Sequence, residues 1–125
     1  MKIERFEDIN SWQEARILVK ATYSAITLSK KFEQDLRFKS QITSATISIM
    51  SNIAEGFSRK SDKEFIQFLF IAKGSIAETQ SLLYVALDLN YIQQKEFDEF
   101  YKQTDKIARL TSRFITYLKS NAVNH

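Results

Sequence analysis

A chain of 125 residues with no proline and only two glycines has almost nothing with which to turn sharply. Hairpins, sandwiches and barrels need such residues at nearly every strand end, because tight turns demand a positive φ or a φ fixed near that of proline. An all-β fold is thereby excluded, and helices joined by short polar breaks remain. With 44% apolar and 26% charged residues, the chain suits one soluble domain over residues 1–125. The absence of cysteine excludes disulfides, thiolate catalysis and zinc fingers, and the single histidine, His125, excludes most histidine-based sites. No metal or cofactor is expected. The start, Met1-Lys2-Ile3-Glu4-Arg5, alternates charge and has no apolar segment of a signal peptide, and the longest apolar stretch, Phe65 to Ala72, is too short to cross a bilayer. A cytoplasmic, membrane-free protein is the expectation.

Four helices can be read, at about 11–30, 38–56, 62–89 and 95–120. Ser11-Trp12-Gln13-Glu14 has capping-box spacing, and Trp12, Ala15, Val19, Tyr23 and Ile26 then recur at three and four residues. A charged connection, Lys30 to Lys39, leads to a second helix with Phe38, Ile42, Ala45, Ile49 and Ile53 on one face. Gly56 is expected to end it in the left-handed conformation. The third opens with a second capping box, Ser61-Asp62-Lys63-Glu64, continues through Phe68, Ala72, Ile76, Leu83 and Leu87, and stops near Asn90. The fourth aligns Phe97, Tyr101, Thr104, Ile107, Leu110, Phe114 and Leu118. Long helices with short connections predict an all-α, antiparallel up-down-up-down four-helix bundle.

One segment exceeds what a lone bundle needs. Phe65, Ile66, Phe68, Leu69, Phe70, Ile71 and Ala72 are apolar around the whole helix circumference. Leaving the outward members wet forfeits several kcal/mol at ~25 cal/mol per Å². A homo-oligomer built on the third helix is expected, and the alternative is a large core covered by the N-terminal segment. Gly74, in mid-helix, is expected to mark a close helix approach.

Chemistry is sparse. Glu64 and Glu78 share a face but stand ~21 Å apart at 1.5 Å per residue, too far to act on one bond. No Glu-x-x-His motif of di-iron bundles occurs, and Ser48 and Ser75 read as packing positions. Glu55 lies in the last turn of its helix, where a carboxylate opposes the macrodipole, so a basic partner such as Arg59 or Lys60 is expected, with Asn52 able to join. No catalytic residue is assigned.

Net charge is only +3. Lys102, Lys106, Arg109 and Arg113 are spaced by four, three and four residues and form one stripe on the fourth helix. With Arg59 and Lys60 they are the candidate nucleic-acid contacts, and a solvated helix face is the competing reading. Repetition around an oligomer would strengthen the stripe's field.

The run Ser48-Ile49-Met50-Ser51-Asn52-Ile53-Ala54-Glu55-Gly56-Phe57-Ser58-Arg59, then Lys63-Glu64-Phe65 and Ile71-Ala72-Lys73-Gly74-Ser75-Ile76-Ala77-Glu78, resembles the proteins encoded by intervening sequences in bacterial 23S rRNA genes. Phe6-Glu7-Asp8, Trp12-Gln13-Glu14-Ala15 and Ala86-Leu87-Asp88-Leu89-Asn90-Tyr91-Ile92 extend the resemblance over nearly the whole chain. It implies an antiparallel four-helix bundle assembled as a ring-like homopentamer. Asn52, Glu55, Gly56, Glu64, Phe65, Phe68, Phe70, Gly74, Ser75 and Glu78 then read as positions that determine fold and assembly. Thr43-Ser44 stands where the family typically carries two basic residues, which argues against nucleic-acid binding through that helix, and Met50 stands where it carries proline. The expectation is a non-enzymatic self-assembling bundle that binds RNA or DNA weakly, associated with ribosomes or rRNA. The alternative is an adaptor that docks another protein on the apolar third helix.

Overall fold

The computed structural model describes residues 3–123, with side chains through 120, so Lys2 and His125 lie outside the described residues. Every regular element described is helical: a 3-10 turn at Phe6–Asp8, then α1 (Asn10–Leu28), α2 (Lys30–Gln34), α3 (Leu36–Phe57), α4 (Asp62–Asp88) and α5 (Gln94–Val123).

The chain enters through a turn closed by Asp8, whose Oδ2 accepts the amides of Glu4 (3.0 Å) and Arg5 (3.2 Å). Ile9 is the N-cap of α1 and supplies no side-chain acceptor, which corrects the expected cap at Ser11. Helix α1 starts earlier because Ile9 is buried and anchors it, and Ser11 is carried into the interior. The buried face of α1 is Trp12, Ala15, Leu18, Thr22, Ala25 and Ile26, while Tyr23 is exposed and Val19 only half-buried. A stripe of apolar residues omits Thr22, whose hydroxyl bonds the Leu18 carbonyl at 2.8 Å and so can enter the core. Thr46, Thr79, Thr104 and Thr111 are fully buried by the same device, each bonding a carbonyl three or four residues back.

The expected connection from Lys30 to Lys39 is largely helical. Ser29 Oγ accepts the Phe32 amide and Asp35 Oδ1 the Phe38 amide, so two N-caps six residues apart start a helix twice. Phe32, sealed at 1% exposure, pins the short α2 to the core. Helix α3 buries Phe38, Ile42, Ala45, Ile49 and Ile53, as its spacing predicts.

Gly56 corrects a second expectation. It lies inside α3 with no positive φ, and its role is steric: a Cβ there would stand 2.8 Å from Phe65 Cδ1 and 2.8 Å from Phe68 Cβ. The left-handed residue is Asn90, at φ 62°. Its amide bonds the Leu87 carbonyl (3.0 Å) and that of Tyr91 bonds Ala86 (2.8 Å), which is a Schellman closure of α4. At the other end Ser61 Oγ accepts the Glu64 amide, which is the N-cap half of the expected capping box, while the exposed Glu64 carboxylate makes no return bond to the Ser61 amide.

Helix α3 packs against α1 and α4, α4 against α5, and α5 against α1. Contacts fix the registers. Ser48 meets Ser75 while Gly56 meets Phe65, and Gln80 meets Thr104 while Phe65 meets Phe114. Two apolar clusters result. One gathers Trp12, Ile53, Phe65, Leu69, Ile107 and Ile115, and the other Ile26, Phe32, Phe38, Leu83, Ile92 and Phe97.

Candidate functional site

The outer face of α4 carries the apolar excess seen in the sequence. Phe65 turns inward, edge-on to Phe57 and Phe114 at centroid distances of 6.1 and 5.2 Å. Phe68 is half-buried beneath the Arg59 guanidinium, 4.6 Å from its ring centroid. Phe70 and Ile71 face outward, 48% and 52% exposed. Along the same side follow Gly74, Ala77, Glu78 and Val85, all exposed. The close approach expected at Gly74 is absent among the described residues, since a Cβ placed there would meet none of their atoms within 4 Å. This side is thus apolar around a bare backbone notch at Gly74, with the Glu78 carboxylate one turn further on. Burying the exposed half of Phe70 alone would be worth about 2 kcal/mol at ~25 cal/mol per Å².

A polar seam runs beside it between α3 and α4. Ser48 Oγ and Ser75 Oγ are 2.9 Å apart, and Asn52 Nδ2 donates to the Ser48 carbonyl (2.8 Å) and to Ser48 Oγ (3.0 Å). Ser48 and Ser75 are therefore helix-packing positions, as read from the sequence. Glu55 has its expected partner, with Arg59 Nη2 at 2.9 Å from Oε1, while Asn52 belongs to the serine seam and not to this pair. Both members of the pair are about half exposed, so it contributes at most about 1 kcal/mol. Glu64 and Glu78 are exposed and serve no common site. Among the described residues no three His, Cys, Asp or Glu side chains converge on a metal-sized space.

The candidate cations divide into two groups. Lys102, Lys106, Arg109 and Arg113 are all exposed on α5. Lys106 Nζ, however, stands 3.0 Å from Glu14 Oε1 on α1, and Arg109 Nη1 stands 3.2 Å from Asp105 Oδ2 one turn back. Arg59 is held by Glu55. Lys60, Lys102 and Arg113 have no ion-pair partner among the described residues. The Asp105–Arg109 pair was visible as an i, i+4 spacing. The Glu14 contact depends on how α1 packs on α5, and no local pattern announces it.

A family model described as 23S rRNA-intervening sequence protein matches residues 7–113. The chain belongs to this family. The match begins in the turn before α1 and ends within α5, so it includes the α4 strip, the serine seam and the basic stripe. Among solved structures, the chain resembles a protein of unknown function from the S23 ribosomal protein family of Bacteroides thetaiotaomicron. The TM-score is 0.70 and the identity 21%, covering 84% of this chain and 97% of that one. At that identity the likeness establishes the shared helical fold. No curated protein matches the chain. No helix among the described residues is long and apolar enough to cross a membrane.

Proposed function

We propose that this family member is a non-enzymatic, cytoplasmic, self-assembling bundle whose copies meet on the outer face of α4. The carrying observation is the strip around Gly74: Phe70, Ile71 and Ala77 are exposed on α4 within about a turn of a backbone position that no atom of the described residues covers. A bare glycine flanked by exposed apolar side chains suits the close approach of a second helix, because the missing Cβ lets backbones come together. Antiparallel up-down-up-down connectivity is supported by contact pairs whose numbers rise along one helix and fall along its neighbour, and a pentameric ring by the family resemblance.

The discriminating experiment is light scattering on the purified protein beside Ile71→Glu. An oligomeric mass that drops to about one chain in the variant, with helicity retained, supports assembly through α4. A monomeric wild type at micromolar concentration overturns it and leaves another protein as the partner of the strip.

A second reading adds weak RNA or DNA binding. It is favoured by a net charge of +3 and by three of the six candidate cations, Lys60, Lys102 and Arg113, that have no ion-pair partner among the described residues and that repetition around an assembly would multiply. Local pairing of Lys106, Arg109 and Arg59 makes this weaker than six free cations would.

A further inference from the structure

Helices α1 and α4 lie diagonally across the bundle, each packed on α3 and α5, so their outer faces look in opposite directions. The outer face of α1 is a second apolar surface without a partner. Ile17 and Leu28 are 53% and 83% exposed, as wet as Phe70 and Ile71 on α4 or wetter. Pairing α4 with α4 between two copies would leave this α1 face in water.

Shape matches the two faces to each other. Gly74, Ala77, Glu78 and Ser81 are all exposed, and their spacing of i, i+3, i+4 and i+7 is that of a hole which receives one side chain of a facing helix. Three of the four are small, and Gly74 is bare, so the hole is deep. Ile17 projects from α1 as a knob between the exposed cations Arg16 and Lys20.

Charge matches them too. From Ala15 to Leu28 α1 has these two cations and no acid, whereas from Gly74 to Asp88 α4 has Glu78, Asp88 and no cation. Neither Lys20 nor Glu78 has an ion-pair partner among the described residues. Neighbouring charges are engaged: Arg16 lies 5.9 Å from the Trp12 ring centroid, Lys73 lies 5.8 Å from that of Phe70, and Glu14 holds Lys106. Glu96 and Glu99 of α5 border Ala21 and Leu28, so the cationic part of the α1 face is its first half, around Ile17. Heights agree as well. Gln103 reaches the Glu14 carbonyl on α1, and its neighbour Thr104 accepts from Gln80 on α4, so with up-down connectivity Ile17 stands within about a turn of Ser81.

We infer that the α4 face of one copy receives the α1 face of the next, with Ile17 seated among Gly74, Ala77, Glu78 and Ser81 and with Lys20 beside the Glu78 carboxylate. This contact presupposes the α4 assembly proposed above and supplies its second surface. Because the two surfaces differ, the contact is head-to-tail and repeats from copy to copy, forming a ring where the rotation closes.

Light scattering over a dilution series of the full-length protein tests the contact, with helicity followed by circular dichroism. Ile17→Glu should keep its helicity and fall to the mass of one chain, although it lies across the bundle from the α4 strip. Lys20→Glu and Glu78→Lys should each raise the concentration at which the assembly dissociates about fivefold, and the double variant should return to within about twofold of wild type. Full assembly of Ile17→Glu beside a monomeric Ile71→Glu overturns the α1 contact and leaves α4 paired with itself. A double variant no better than either single one overturns it also. A monomeric wild type instead removes the α4 reading itself, and this contact with it.

Discussion

The Tyr91 hydroxyl donates a 2.7 Å hydrogen bond to Asp35 Oδ2 and so ties the turn between α4 and α5 to the junction of α2 and α3. The same carboxylate caps α3 through its other oxygen, which accepts the Phe38 amide. The Tyr91 ring stacks on Phe32 with centroids 5.2 Å apart, so the hydroxyl is held in place by packing. One acid thus restarts the helix and latches the far end of the molecule.

This latch predicts a pH window. The Tyr91 hydroxyl first, and then the Phe38 amide, lower the Asp35 pKa below its ordinary 3.8, and the Asp35 bond raises the Tyr91 pKa above 10.0. A lowered carboxyl contributes stability that is fully present above its unfolded value and is lost as pH falls through the folded one. A raised phenol contributes stability fully present below 10.0 that is lost as pH rises through its folded value. Tyr91→Phe keeps the ring and removes the bond. Its melting temperature should trail the wild type by a constant amount between about pH 4 and 10, with the gap closing beyond both edges. A gap independent of pH across the whole range would show that the charge on Asp35 plays no part.

The two glycines should respond to alanine in opposite directions. At Gly56 a methyl group collides with a core aromatic ring and with Phe68 Cβ, neither of which is a flexible chain end. Overpacking costs about 1–3 kcal/mol against roughly 1 kcal/mol of helix propensity gained, so Gly56→Ala should unfold more easily. At Gly74 nothing opposes the methyl group, and Gly74→Ala should stabilise the isolated chain by about 0.5–1 kcal/mol. Urea titrations of both variants decide the matter, and a stabilised Gly56→Ala would mean that Phe65 can move aside.

Gly74 also offers a test of assembly that leaves charge unchanged. Gly74→Leu fills the notch on the outer face of α4 while its Cβ meets no atom of the described residues. The variant should fold with undiminished helicity yet lose oligomeric mass in light scattering, because the added side chain holds a neighbouring helix away. Retention of the full assembly would move the interface off this face.

The local features of this fold are legible in the sequence. The α3 core residues and the Ser61 cap follow from spacing and local hydrogen bonding, and Asn90 lies where the third helix was expected to stop. What escaped was nonlocal or went against polarity. Thr22 is polar by type and buried by virtue of a local hydrogen bond, so an apolar stripe drawn through Val19 and Tyr23 misses it. Ser11 fits the capping-box spacing, but the burial of Ile9 starts α1 earlier and leaves the hydroxyl inside. Gly56 reads as a terminator because only the fold reveals Phe65 and Phe68 lying against it. The α5 stripe was visible as a spacing, whereas the Glu14 carboxylate beside Lys106 required α1 to be packed on α5.

That pairing makes the nucleic-acid reading testable residue by residue. Cations already neutralised by a neighbour release fewer counterions on meeting a phosphate than free ones do. Ala substitutions at Lys60, Lys102 and Arg113 should therefore each flatten the log–log salt dependence of RNA retention by up to about 1. The same change at Lys106 or Arg109 should matter less, because Glu14 and Asp105 hold part of the charge. Glu14→Gln should act in the opposite direction, freeing Lys106 and strengthening retention at low salt. Filter binding of a single-stranded RNA across a salt series measures all of these. Equal losses at paired and unpaired positions would mean that the pairs open on binding, and a slope near zero in the wild type would remove phosphate contact from the account of this surface.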